Sequence, residues 1–421
     1  MHAGRVQSLE RRIAVVWRFK LTAAGRCLLA GLLVSGSVGS ASLEIPVYHL
    51  FCALFTLLIV CYLGAIRYRP TIRIAGTMPE KAEAGQLVRS VYTVTNCGTR
   101  VAYDVGVRHS VLPPEVSDSG EHEPIVDQLN PGESVTVPVL LKASKRGLYW
   151  IEPPVPYTRY PFNFFRVPAR IPSQGHALFP SKLIVTPAFH PVTHVDVPIG
   201  SRYQPGGIAL TSSIGESPEY IGNRDYRPGD SARRIDFRAW GRLAKPVVRE
   251  YQEEYYNRIG LVFDTSMPTP RGRRAKAAEP FESAVSLAAS LADAMAQGEY
   301  IVDLFAAGSK LYVFRAGRHT AHLDNILEIL SCVEPSSGDA FGSVLPDMVN
   351  ELPSISALLC VFLSWDSARN ALVQAAREAG CSVRVYLVQD TPDVPLTEDA
   401  PMDSILPITP EQIRFGFVDR L

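Results

Sequence analysis

At 421 residues the chain is too long for one ordinary domain and has room for two or three, each burying its own core. Charged residues make up 20% and hydrophobic residues 47%, which excludes a largely disordered chain. Lys+Arg and Asp+Glu each total 42, and the formal net charge of zero argues against a globally basic nucleic-acid binder. The seven cysteines form no C-x-x-C pair. Cys27, Cys52 and Cys61 lie in apolar runs, while Cys97, Cys332, Cys360 and Cys381 are scattered, so neither a zinc cage nor a disulfide framework is visible. This usage suits a reducing compartment in which each cysteine serves as a small buried hydrophobe.

Residues 1–20 form a basic N-terminus, followed by two apolar stretches, Gly25 to Ser42 and Ile45 to Ile66. A span needs about 20 residues to cross a ~30 Å hydrocarbon core. The second stretch meets that length comfortably, whereas Gly31, Ser35, Gly36, Ser37, Gly39 and Ser40 dilute the first. A secretory signal cleaved near Ser40 to Ser42 is the competing reading of the first stretch. Arg5, Arg11, Arg12, Arg18 and Lys20 precede the pair, Arg67, Arg69 and Arg73 follow it, and the turn between carries no Lys or Arg. The positive-inside rule therefore predicts a hairpin in a cell inner membrane with both ends, and all that follows Arg67, in the cytoplasm.

Over residues 71–190 the hydrophobic period is two. Tyr103, Val105 and Val107 alternate with Asp104, Gly106 and Arg108, and Val135, Val137, Val139 and Leu141 alternate with their neighbours. Asn96-Cys97-Gly98 and Asn130-Pro131-Gly132 mark turns. Short strands at this spacing predict an antiparallel β-sandwich, immunoglobulin-like in size. Over residues 258–390 strands alternate with helices. Ile259 to Phe263, Tyr300 to Phe305, Leu311 to Phe314, Leu358 to Leu363 and Val383 to Val388 read as strands. Helices are marked by Phe281, Ala284, Val285, Ala288, Leu291, Ala292 and Met295, by Leu323, Ile326, Leu327 and Leu330, and by the run Ala368 to Glu378. The alternation predicts a mostly parallel sheet covered on both faces, with ligands expected beyond the carboxyl ends of the strands, where Asp264 falls. The tail, residues 391–421, is rich in Pro and acidic residues, and the chain from Asp390 on is expected to be extended or disordered.

Residues 200–257 join the two regions and hold the densest unusual sequence: Tyr226-Arg227-Pro228-Gly229-Asp230, Arg233-Arg234-Ile235-Asp236-Phe237 and Val248-Arg249-Glu250. Pro228-Gly229 presets a tight turn and Asp230 is placed to cap a short helix. Guanidinium groups alternating with carboxylates favour an ion-paired clasp, in which truncating Arg233 or Asp236 would orphan a buried charge. A docking surface for a protein partner, and a phosphate or nucleic-acid site, are the alternatives.

These runs, preceded by Gly215-Glu216 and followed by Phe263-Asp264-Thr265-Ser266, resemble the bacterial family known as domain of unknown function 58. Leu21-Thr22-Ala23-Ala24-Gly25-Arg26 is similar to the start of that family's membrane hairpin. Arg146-Gly147-Leu148-Tyr149 and Tyr160-Pro161-Phe162-Asn163-Phe164-Phe165-Arg166 resemble its R-G-x-Y and D-P-F-G-L-F-R signatures. The resemblance implies a von Willebrand factor A-like α/β domain on a membrane anchor. It also implies a MoxR-type AAA+ ATPase as partner, in a chaperone-like or envelope-related system. It marks Tyr226, Pro228, Gly229, Asp230, Arg233, Arg234, Asp236, Arg249 and Glu250 as family-motif and partner-docking residues.

A von Willebrand-type metal site uses D-x-S-x-S, a Thr from a later loop and an Asp after a later strand, hard oxygen ligands that suit Mg²⁺. Asp264 and Ser266 match, Pro268 replaces the second serine, no Thr stands in Ser336-Ser337-Gly338-Asp339, and Asp366 lies one residue later than usual. Asp264, Ser266 and Asp366 are thus candidate ligands of a degenerate site. An Asp264-centred Mg-dependent phosphohydrolase is the enzymatic alternative, although Ser266 stands where a second carboxylate would be needed. There is no G-x-S-x-G elbow and no P-loop. The expectation is a membrane-anchored, non-enzymatic scaffold or adaptor with no cofactor, no nucleic acid and no small-molecule substrate.

Overall fold

A computed structural model describes residues 19–41, 45–119, 124–172, 179–196, 220–251, 258–267, 274–298, 300–307, 311–315, 322–337, 340–390 and 402–417. The chain forms two compact units, one of residues up to Ala188 with Leu327–Cys332, the other of Phe189–Ile326 and Val333–Leu421.

The first unit begins with α1 (Ala23–Ala41) and α2 (Ile45–Arg67), both long and apolar enough to cross a membrane. Their pairing explains the small residues of α1. A Cβ at Gly36 would lie 3.1 Å from the Phe51 ring, at Gly31 3.7 Å from Leu54, and at Gly39 3.8 Å from Val47. As the α1 number rises the α2 number falls, so the helices run antiparallel, and the glycines allow the two backbones to approach closely.

The strands that follow are β1 (Ile72–Thr77), β2 (Lys81–Glu83), β3 (Leu87–Asn96), β4 (Ala102–Arg108), β5 (Val116–Asp118), β6 (Ile125–Leu129), β7 (Ser134–Ala143), β8 (Gly147–Ile151), β9 (Val155–Thr158), β10 (Val167–Pro168) and β11 (Ser181–Thr186). They form sheets of order β1-β3-β7-β5, β10-β9-β4-β6 and β2-β11-β8. The two four-stranded sheets are antiparallel and share one core, with Ile72, Val94, Val137 and Leu141 from one meeting Val105, Val107 and Leu129 from the other. β7 alternates as expected, burying Val137, Val139 and Leu141. β4 does not. Asp104 has φ 49°, the ladder skips from Tyr103↔Gln128 to Val105↔Val126, and the phase reverses, so that Ala102 faces the core and Tyr103 points out. The register is the same on both sides of Asp104, so no residue is inserted; the left-handed backbone there turns the strand over.

In the second unit β12 (Tyr220–Asp225) and β13 (Val247–Tyr251) pair antiparallel around the short helix α3 (Phe237–Leu243). The remaining elements are β14 (Arg258–Asp264), β15 (Ser266–Met267), α4 (Arg274–Gln297), β16 (Ile301–Ala307), β17 (Leu311–Phe314), α5 (His322–Cys332, of which Leu327–Cys332 is assigned to the first unit), β18 (Ser336–Ser337), α6 (Ala340–Glu351), β19 (Ala357–Phe362), α7 (Ser367–Glu378), β20 (Ser382–Val388), β21 (Ile405–Ile408) and α8 (Pro410–Arg414). Six strands lie in the order β17-β16-β14-β19-β20-β21, parallel except for the β16–β17 edge pair. β14 is buried from Ile259 to Asp264 and β19 throughout, as strands covered on both faces must be.

Two parts of this unit differ from expectation. α6, unforeseen because Pro346 interrupts the run, buries Phe341, Val344 and Met348 at helical spacing. Residues 402–417 are ordered: β21 extends the sheet beside β20, and Thr409 and Gln412 close a capping box on α8. Pro407 is tolerated because β21 is an edge strand.

Candidate functional site

The chain leaves β14 toward β16 on one side and returns through β19 on the other, so the order reverses between β14 and β19. Beyond their carboxyl ends lies the crevice where α/β sheets place ligands. Asp264 ends β14 and Asp366 caps α7 after β19, so the topology brings together two of the three candidate metal ligands with Ser266 beside them. The space between the carboxylates is filled by Arg369. Its Nε and Nη2 donate to Asp264 Oδ2 at 2.9 and 2.6 Å, and its Nη1 donates to Asp366 Oδ2. Asp264 Oδ1 accepts from the Ser266 backbone N–H at 2.8 Å, and Asp366 Oδ1 accepts from the Arg369 N–H at 3.0 Å. Arg369 is 2% exposed, and its guanidinium lies 4.9 Å over the Phe341 ring. Burial pushes the Asp264 carboxyl above its usual value, and the Arg369 charge and the Ser266 amide pull against it.

The loop that carries Ser266 is tied down from the other side. Thr265 Oγ1 donates to Ala307 O at 2.8 Å and lies 3.0 Å from Ser336 Oγ, and β15 and β18 pair at Ser266↔Ser336. Pro268, Gly338 and Asp339 lie outside the described residues. A divalent ion binds carboxylate oxygens through free lone pairs at about 2.0–2.6 Å. Both Asp264 oxygens already accept N–H donors, and removing Arg369 from between the carboxylates would leave a buried guanidinium unpaired, a cost of several kcal/mol. The residues present do not fit a metal while Arg369 is in place. Sequence reasoning passed over Arg369, although a signal was there: it sits at the third position of α7, where the helix dipole disfavours a cation unless carboxylates flank it.

In the joining segment the carboxylates organise the backbone rather than a buried clasp. Arg224 grips Asp230 with two bonds of 2.8 Å, and Asp230 Oδ2 also accepts from the Arg227 N–H at 2.8 Å, closing the turn in which Gly229 has φ 107°. The Arg224 fork and the Arg227 amide hold the Asp230 carboxyl down at about 2. Asp230 therefore staples a turn, and the helix cap falls to Asp236, which accepts from the Arg238 and Ala239 N–H groups at 3.0 Å. Those backbone bonds, with help from Arg249 at 3.4 Å, hold the Asp236 carboxyl below its ordinary value. Tyr226 is anchored through its N–H to Pro246 O, and Pro228 lies in the exposed turn. Arg233 and Arg234 are exposed and make no ion pair among the described residues, and the Glu250 side chain is outside them. The expectation that Arg233 belongs to a buried pair is thus corrected: its short 3-10 turn carries no buried residue. Accordingly, Asp236→Ala should lower the melting temperature by a few degrees through loss of the cap, while Arg233→Ala leaves it unchanged, both readable by thermal unfolding of the detergent-held chain.

Two further motifs meet in the first unit. Thr22 caps α1 by accepting from the Gly25 N–H at 3.0 Å, and its hydroxyl donates to Asn163 O at 2.5 Å. Arg166 donates to the carbonyls of Phe19 and Leu21 at 3.3 and 3.1 Å, and its own N–H donates to Lys20 O at 2.7 Å. α2 adds Tyr62, edge-on to Phe165 at 5.8 Å, and Gly64, whose Cβ would lie 3.4 Å from Pro161. Residues 160–166 are therefore a socket for the start of the apolar hairpin. In the Arg146 to Tyr149 motif, Gly147 has φ 152° and Tyr149 Oη bonds back to Lys145 O and Arg146 O, closing a turn at the start of β8.

No curated protein matches the chain. Similarity to solved structures is partial. The CARDB domain of PF1109 from Pyrococcus furiosus is 15% identical, with 24% of this chain and 95% of that one covered and a TM-score of 0.16. The VesB protease of Vibrio cholerae is 18% identical over 31% of this chain and 35% of that one, with a TM-score of 0.16. The pilus adhesin RrgA of Streptococcus pneumoniae is 9% identical over 70% of this chain and 42% of that one, with a TM-score of 0.20. Likenesses at these scores carry no argument about fold or activity. The sequence model of one family, described as protein of unknown function DUF58, matches residues 222–403, from the Arg/Asp segment through the α/β sheet to the threshold of β21. That match shows residues 222–403, a little under half of the chain, to be similar to the DUF58 family.

Proposed function

We propose that this protein is a non-enzymatic, membrane-anchored scaffold or adaptor whose α/β unit, read as von Willebrand factor A-like, works with a MoxR-type AAA+ ATPase in a chaperone-like or envelope-related system. The two apolar helices are taken as a spanning hairpin in a cell inner membrane. The basic residues before α1 and after α2 favour a cytoplasmic side for everything that follows Arg67. The observation that carries the reading is the occupied crevice: where an α/β sheet would offer reactive carboxylates, both Asp264 oxygens are bonded and the local charge is met by Arg369. Affinity purification of the full chain from gently solubilised membranes, with ATP present, is expected to recover an AAA+ ATPase. Repeated recovery of none sinks the adaptor reading, and turnover of a phosphorylated substrate that Asp264→Ala abolishes would replace it with a phosphohydrolase.

A further inference from the structure

The helix α3 has one face with no counterpart among the described residues. Only Ala239 is buried; Phe237 is 69% exposed, Trp240 38% and Leu243 47%, and the Phe237 and Trp240 rings stack at 6.0 Å. Arg233 and Arg234 lie just before this helix and Arg238 and Arg242 upon it, all exposed and none in an ion pair among the described residues. The nearby acids among the described residues are spoken for: Asp225 by Lys245, Asp230 by Arg224, and Asp236 by the helix N–H groups and Arg249. A short helix with a Trp, a Phe and a Leu at its surface, ringed by unpaired arginines, has the composition of an element that lies in a membrane interface.

We propose that the Phe237, Trp240 and Leu243 face of α3, with Arg233, Arg234, Arg238 and Arg242, docks on the anionic lipid surface of the bilayer that anchors the chain. The inference rests on the reading of α1 and α2 as spanning helices and goes beyond it. Three apolar side chains are too few for a protein interface, which needs roughly 1,000 Å² or more. They suffice for a tethered lipid contact, because the anchor holds the helix at high effective concentration near the headgroups and weak affinity is enough. The four cations add the electrostatic part, each contributing about fivefold near an anionic surface. The stacked rings sit at headgroup depth, and the arginine stems lie along the apolar boundary with their forks on phosphates.

The test uses the full-length chain in nanodiscs of neutral phosphatidylcholine, or of phosphatidylcholine with about one-third phosphatidylglycerol. Amides of residues 237–244 are expected to exchange at least about tenfold more slowly in the anionic discs, with the difference erased at high salt and in the Arg238→Glu/Arg242→Glu variant. Brominated lipid is expected to quench a component of the tryptophan emission that Trp240→Phe lacks. Should the charge-reversed variant misfold, Phe237→Ser, which keeps every charge, is to weaken the quenching instead. Equal exchange in both discs overturns the proposal, as does protection that arises only when a co-purified protein is added. A chain that washes out of the discs under alkaline carbonate overturns the spanning reading separately, so the two failures are distinguishable.

Discussion

Arg369→Ala is expected to destabilise the α/β unit by about 3–5 kcal/mol, because it strips a carboxylate with no solvent exposure of its counter-charge while leaving the charge in place. The side chain serves three partners at once: Asp264 through Nε and Nη2, Asp366 through Nη1, and the Phe341 ring through its face. Arg369→Lys keeps the charge but loses the planar fork that spans two carboxylates, and should recover only part of the loss. Replacing the pair, as Asp264→Leu with Arg369→Met, should restore most of the stability, since two well-packed apolar groups avoid the desolvation that the ion pair must offset. The readout is denaturant unfolding of the full chain followed by the emission of Trp365, whose ring lies 6.3 Å from that of Phe362 beside the pair. An Arg369→Ala protein within about 1 kcal/mol of wild type would show that water reaches Asp264 and that the crevice is open to ligands after all.

Gly25→Ala is expected to cost about 2–3 kcal/mol and to loosen the hairpin from the 160–166 segment. A Cβ there would lie 2.0 Å from Phe164 O, and that oxygen belongs to backbone held by neighbouring bonds from Thr22, so no flexible side chain can move aside. The expected signature is faster amide exchange and proteolysis across residues 160–166, with the rest of the β unit unchanged. Thr22→Val, which removes both the cap and the hydroxyl donor without adding bulk at the contact, should give a smaller shift in the same residues. Wild-type protection in Gly25→Ala would mean that the socket is not closed around α1.

Much of the architecture is legible in the chain because it rests on local periodicity. Period two in β7 and continuous apolar runs in β14 and β19 mark their strands from composition and order alone, and helical spacing does the same for α4 and α7. The departures have local causes that a pattern does not carry. A single residue at φ 49° reverses the phase of β4, a proline hides α6, and β21 is recognisable only once β20 offers it an edge.

The family motifs divide in the same way. Their residue types and order were plain in the sequence, including the Asp-rich turn and the small residues of α1. Their partners were not, because each motif contacts something distant in the chain: Thr22 reaches Asn163, Gly25 meets Phe164, and Asp264 finds Arg369. By itself the sequence determined most of the strands and helices, the two apolar helices and the family resemblance of residues 222–403, since those depend on spacing within a few residues. Only the tertiary structure decided that the cation beside Asp264 is a side chain of the same protein. Which charge settles against a buried carboxylate depends on what the reversal of strand order brings within 3 Å, and residues 105 positions apart leave no local trace of that meeting.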